Sequence, residues 1–174
     1  MQVEIIGENQ SGQRLDKYLK KLLPQAGTGF LYKMLRKKNI TLNGKKAEGS
    51  ELLRKGDEVK FFFSEETFIK FTGSQEQAEI KTKEYLKAYQ KLKGIEVLYE
   101  DAHILVLNKP AGILSQKAAP EDSSLNEWML GYLLQENPSL EKELSSFKPS
   151  VCNRLDINTS GIVLCGKSLP GLQY

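Results

Sequence analysis

From Arg14 onward the apolar residues Leu15, Tyr18, Leu19, Leu22 and Leu23 fall three and four positions apart, which predicts a short helix ended by Pro24 and Gly27. Leu31, Met34 and Leu35 form a second such stripe, with Thr28 as its predicted cap and Asn39 as a left-handed exit. Ile40-Thr41-Leu42 then has strand character and Asn43-Gly44 is a hairpin turn signal. Gly56-Asp57 precedes a strand at Val59-Lys60-Phe61-Phe62-Phe63. Thr72-Gly73-Ser74-Gln75 reads as loop. Beyond it, Tyr85, Leu86, Tyr89 and Leu92 recur at helical spacing among lysines, as in an amphipathic linker helix resting on a neighbouring domain. Residues 95–108 predict two strands joined at Asp101-Ala102, the second apolar enough to be covered on both faces. Lys109-Pro110-Ala111-Gly112 breaks that sheet. Ser124-Leu125-Asn126-Glu127 is a capping box opening a helix with Leu125, Trp128, Met129, Tyr132 and Leu133 on one face, so Trp128 belongs to the core. A last apolar strand follows at Ile162-Val163-Leu164-Cys165.

Composition narrows the class. In 174 residues, 40% are hydrophobic and 27% charged, the balance of a water-soluble globular protein. No apolar run approaches the roughly 20 residues of a membrane span, and the first residues lack the basic and apolar pattern of a secretory signal. Two cysteines, Cys152 and Cys165, are too few for a disulfide scaffold and suit a reducing cytoplasm. The net charge of +3 hides a gradient. Residues 1–64 hold 13 Lys and Arg against 7 Asp and Glu, whereas residues 95–174 hold 6 against 10. A basic first part beside a mildly acidic remainder suggests that the first part meets a polyanion.

Candidate chemistry concentrates in Asn153-Arg154-Leu155-Asp156-Ile157-Asn158-Thr159-Ser160-Gly161. If residues 153–156 are extended, Arg154 and Asp156 leave the same face. An arginine beside a carboxylate favours the ionised form and fixes its direction. A presented carboxylate suits a nucleophile or general base; the same residues also fit a structural Asp in an Asx turn bridged to Arg154. His103, Cys152 and Cys165 lack zinc-ligand spacing, so no metal site is expected. Lys109 can be read as a Schiff-base or phosphate lysine, although the Pro-Ala-Gly after it points to loop support.

Two resemblances extend this reading. Arg14-Leu15-Asp16-Lys17-Tyr18-Leu19, the helix end from Lys33 to Asn39, and Ile40-Thr41-Leu42-Asn43-Gly44-Lys45 resemble the alpha-L RNA-binding motif of the ribosomal protein S-four type. That family usually has Gly at the helix exit. The likeness implies phosphate contacts by Arg14, Lys17, Lys33, Arg36, Lys37, Lys38 and Lys45. The stretch from Asn153 is similar to the catalytic motif of RluA-type pseudouridine synthases, His-Arg-Leu-Asp-x-x-Thr-Ser-Gly followed by aliphatic residues, with Asn153 where His is most frequent. Val97-Leu98-Tyr99-Glu100-Asp101 through Asn108-Lys109-Pro110-Ala111-Gly112 matches a second signature of that family.

The implied architecture is α+β: an alpha-L domain at 12–64, a linker at 65–94, and the truncated start of a mixed, mainly antiparallel catalytic domain at 95–174. The implied reaction isomerises uridine to pseudouridine in ribosomal or transfer RNA, without cofactor or metal, by a cytoplasmic monomer. Asp156 would attack the uracil ring or the ribose anomeric carbon of a flipped-out nucleotide. Arg154 would pair with Asp156 at rest, then follow the phosphate or fill the gap. In the family a later tyrosine stacks on the uracil and a later basic residue pairs with the Asp. Of the residues after Gly161, Lys167 and Tyr174 come too early for these roles, so the chain is expected to be an N-terminal fragment, inactive alone. The competing class is a non-catalytic RNA-binding or ribosome-associated protein.

Overall fold

Amphipathic spacing sets the first helices as expected. In the computed structural model, which describes residues 1–73 and 75–173, α1 (Leu15–Leu22) and α2 (Thr28–Arg36) bury Leu15, Tyr18, Leu19, Leu22, Leu31, Met34 and Leu35. Each fully buried leucine contributes about 2 kcal/mol of hydrophobic stabilisation. The chain divides into two units, Met1–Ala78 and Glu79–Tyr174.

In the first unit, β1 (Gln2–Ile5), β2 (Ile40–Leu42), β3 (Lys45–Lys46) and β4 (Glu58–Phe61) form an antiparallel sheet in the order β1-β4-β2-β3. The β2–β3 hairpin turns on Asn43 and Gly44, both at positive φ (51° and 72°), as a two-residue hairpin matching the strand twist requires. Two end assignments change. Gly27, not Thr28, is the N-cap of α2, because Thr28 is already helical. At the other end Lys38, not Asn39, takes the left-handed conformation (φ 60°). The Lys38 amide donates to the Leu35 carbonyl (3.1 Å) and the Asn39 amide to the Met34 carbonyl (2.9 Å), the paired bonds of a Schellman exit. A lysine at that position is strained where glycine is not. Lys38→Gly is therefore expected to stabilise the chain by about 1 kcal/mol, seen as a higher midpoint in denaturant. A lower midpoint would contradict this account of the helix exit.

The unit reaches beyond the expected 12–64 span at both ends. β1 pairs with β4 from Gln2↔Phe61 to Ile5↔Glu58. After β4, Ser64 caps α3 (Glu65–Thr72), its hydroxyl accepting from the Thr67 amide. This helix was expected only as linker. It docks through Phe68, 5.2 Å from Phe61 ring to ring, and Phe71, 4.5 Å from Phe30. Phe62 and Phe63, expected in the strand, follow its end.

Acid lability follows from the carboxylates of this unit. At Asp16 burial pushes the pKa up, but hydrogen bonds from Tyr32 and Arg14 outweigh it and hold the carboxyl low. Burial likewise opposes, and backbone amides of residues 48–51 overcome, at Glu51. Asn43 and the Arg54 amide lower Asp57. A depressed folded pKa contributes stability that is present above the unfolded value of about 4 and lost as pH falls below it. Glu4, raised by burial, acts with the opposite sign but alone. Thermal melts from pH 7 to pH 3 should show a melting temperature that falls once pH drops below about 4.5; a flat profile would refute it.

In the second unit, α4 (Gln75–Lys91) begins at a residue expected in loop, and Ser74 of that loop lies outside the described residues. Its Tyr85 and Ala88 are buried and Leu86 and Tyr89 pack on the second core. The sheet takes β5 (Glu96–Glu100), β6 (Ile104–Lys109), β7 (Ser150–Val151) and β8 (Gly161–Gly166) in the order β5-β6-β8-β7, all antiparallel. Against it lies α5 (Leu125–Glu136), with Trp128 in the core. Gly131 lets α4 and α5 approach: a Cβ there would sit 2.3 Å from the Tyr85 carbonyl oxygen. In the capping box, the Ser124 hydroxyl bonds the Glu127 carboxylate rather than a backbone amide. Short helices α6 (Leu140–Glu143) and α7 (Leu169–Gln173) complete the unit.

β6 departs from expectation. Leu105, Leu107 and Lys109 are buried, but the alternate residues are only half-buried, so the strand is covered on one face. On the other face Tyr99, Ile162 and Leu164 are exposed. Among the described residues, no helix is long and apolar enough to cross a membrane. The fold is α+β with antiparallel sheets, as the sequence implied.

Candidate active site

Two loops meet where β6 ends and β8 begins, since Lys109 pairs with Gly161 across the ladder. The loop after β6 holds the stretch before β8 by its backbone. The Gly112 amide donates to the Ile157 carbonyl (2.7 Å). The buried Ser115 hydroxyl donates to the Leu155 carbonyl (2.7 Å) and accepts from the Leu155 amide (3.0 Å). One hydroxyl thus splints both polar groups of the residue before Asp156.

Leu155 packs against the second core, while Arg154 and Asp156 are exposed, the alternation expected of an extended segment. The Thr159 amide donates to the Asp156 carbonyl (3.0 Å), closing a turn that presents the carboxylate. Gly161, at φ 147°, completes the loop; a Cβ there would lie 3.3 Å from Leu155 Cδ1. The expected Arg154–Asp156 ion pair is not formed. Arg154 Nη1 reaches Gln116 Oε1 instead (3.4 Å).

Lys109 does more than the sequence indicated. It is wholly buried, and its ammonium donates to the carbonyls of Ile113 (2.7 Å) and Pro110 (3.1 Å), with Ile157 at 3.4 Å. The cation ties its own loop and touches the one bearing Asp156. Burial pushes its pKa down and the Asp156 carboxylate opposes that shift. The signal available in the sequence was a charged residue ending an apolar strand just before Pro.

Asn153, where His was noted as more frequent, has a structural task. Its Nδ2 donates to the Ile162 carbonyl (3.2 Å) and its Oδ1 accepts from the Leu164 amide (2.7 Å), extending by one side chain the pairing that β7 makes with β8. Cys165 is buried, and burial pushes its thiol up to about 12; Cys152 is exposed. His103 Nδ1 lies 2.7 Å from Ser168 Oγ. Among the described residues no three His, Cys, Asp or Glu side chains gather as metal ligands. Tyr174 lies outside the described residues.

In the first unit Lys17, Lys33, Arg36, Lys37, Lys38 and Lys45 are all exposed, and among the described residues none forms an ion pair. Arg14 differs: its Nε and Nη2 bind the two oxygens of Asp16, each at 3.1 Å. Lys46 is exposed beside this group and was not foreseen.

Residues 103–173, which carry both loops, match the family of RNA pseudouridylate synthases. Over these residues the chain is similar to that family. The ribosomal large subunit pseudouridine synthase C of Rickettsia felis is 35% identical over 157 residues, covering 89% of this chain and 46% of the relative. That of Salmonella typhi is 30% identical over 173 residues, 99% and 48% respectively. An uncharacterised RNA pseudouridine synthase of Mycoplasma pneumoniae is 29% identical over 164 residues, 92% and 46%. The chain spans about half the length of the curated relatives it matches.

Proposed function

We propose that this chain provides the nucleophile and an RNA-gripping module of an enzyme that converts uridine to pseudouridine in structured RNA. The observation that carries the reading is Asp156: a solvent-facing carboxylate on a loop whose backbone is splinted by Ser115 and Gly112, inside the family-matching residues. Such a group acts as nucleophile without a metal or cofactor. Its attack on a flipped-out uridine lets the bond from N1 to the ribose break, the base turn and C5 join the same ribose carbon. The C5 proton leaves and N1 gains one, so the product is an isomer. The exposed cations of the first unit, in an alpha-L arrangement, supply phosphate contacts that position RNA without reading its sequence. Arg154, free of Asp156 and exposed, serves the phosphate flanking the target nucleotide. The relatives' names support large-subunit ribosomal RNA as substrate; a cytoplasmic monomer belongs to the same proposal.

The test is tritium release from RNA labelled at uridine C5, using the 174 residues alone and joined to the matching remainder of a ribosomal large subunit pseudouridine synthase C. Release by the joined chain is expected. A joined chain that folds and binds RNA yet releases none would favour the non-catalytic RNA-binding reading.

A further inference from the structure

Tyr32 on α2 is 41% exposed, yet it is anchored. Its hydroxyl donates to Asp16 Oδ2 (3.1 Å), and Asp16 is itself buried and clasped by Arg14. The ring passes so close to Gly49 that a Cβ there would lie 3.2 Å from Tyr32 Cε1. The polar end is thus spent inward while much of the ring stays uncovered. This ring lines a groove whose floor is formed by the edges of the buried Leu35 and Ala47, flanked by Arg36 and Lys46, which supply cations, and Glu48.

We propose that this groove is a subsite for one unpaired RNA nucleotide, with Tyr32 as the stacking platform for its base. The assignment rests on the RNA-binding reading of the first unit and goes beyond it, because phosphate contacts alone need no aromatic ring. A base has two apolar faces and polar edges, matching an anchored ring on an apolar floor. Its phosphate carries the charge that Arg36 and Lys46 complement. Glu48 is the acceptor for a base amino group or a ribose hydroxyl. A base inside a duplex is stacked on both sides and cannot offer a face, so the groove selects bulged or single-stranded nucleotides. Because the ring is already held, little conformational freedom is lost on binding.

The experiment is fluorescence anisotropy with the full 174-residue chain and three RNAs: a blunt duplex, the same duplex with one bulged nucleotide, and that bulge made abasic. Wild-type protein is expected to bind the bulged RNA about tenfold more tightly than the other two. Tyr32→Leu should remove that preference and leave blunt-duplex affinity within about twofold, whereas Tyr32→Phe, which keeps the ring, should retain most of it. Thermal melts of both variants report folding. Equal binding of all three RNAs by wild type, or a preference that survives Tyr32→Leu, overturns the platform while leaving the RNA-binding reading intact. Wild-type protein that binds none of the RNAs overturns both.

Discussion

Asp156→Asn in the joined chain is expected to lower pseudouridine formation by on the order of 10⁴-fold or more, with RNA affinity unchanged. The amide has the size of the carboxylate but not its nucleophilicity, and the covalent route needs that oxygen. Structure gives the substitution little else to disturb. The Asp156 side chain is exposed and makes no hydrogen bond or ion pair among the described residues. The backbone around it is held from Ser115, Gly112 and Thr159, all through main-chain groups that Asn retains. Turnover and stability should therefore separate: melting unchanged, affinity unchanged, tritium release lost. A variant that keeps turnover within tenfold of wild type would return Asp156 to the structural role that the bare sequence also allowed.

That ambiguity shows what was legible and what was not. Strong helical stripes in α1, α2 and α5 and the Asn43-Gly44 turn placed themselves, because each pattern needs only its own few neighbours. β1 was silent for a physical reason: its half-buried positions are Gln2 and Glu4, while Val3 and Ile5 face solvent, the reverse of the usual alternation. α3 was silent because two phenylalanines, Phe68 and Phe71, carry its docking. β6 was misjudged since its apolar residues do not reveal that one face lacks a partner. In the site, motif spacing located Asp156 and Arg154, but the pairing between them was an inference from alternation alone. Ser115 stands 40 residues, and Asn153 stands 9 and 11 residues, from the backbone groups they hold, separations that no local pattern encodes.

Lys109 is the extreme of that long-range kind, and its replacement carries the largest expected cost in stability. Lys109→Met keeps the aliphatic stem and removes the ammonium. Left behind are the Pro110 and Ile113 carbonyls, with the Ile157 carbonyl retaining its bond from Gly112. A hydrogen bond from a charged donor contributes roughly 1.5–3 kcal/mol, and a buried acceptor left without one costs about 1–3 kcal/mol. Offsetting this, Met relieves the desolvation of a buried charge that already holds the lysine pKa down. The acceptor losses dominate, because the Ile113 carbonyl lies buried and loses its donor, and a net loss of about 3 kcal/mol is expected. Denaturant unfolding followed through Trp128, which lies in the second core, reads this unit directly. Lys109→Arg should fare no better, since a planar fork does not fit a site shaped for one nitrogen. In the joined chain, both variants should also lose turnover through a slackened Asp156 loop. If Lys109→Met instead melts like wild type and turns over normally, the ammonium is a passenger in its pocket and the two loops are held by Gly112 and Ser115 alone.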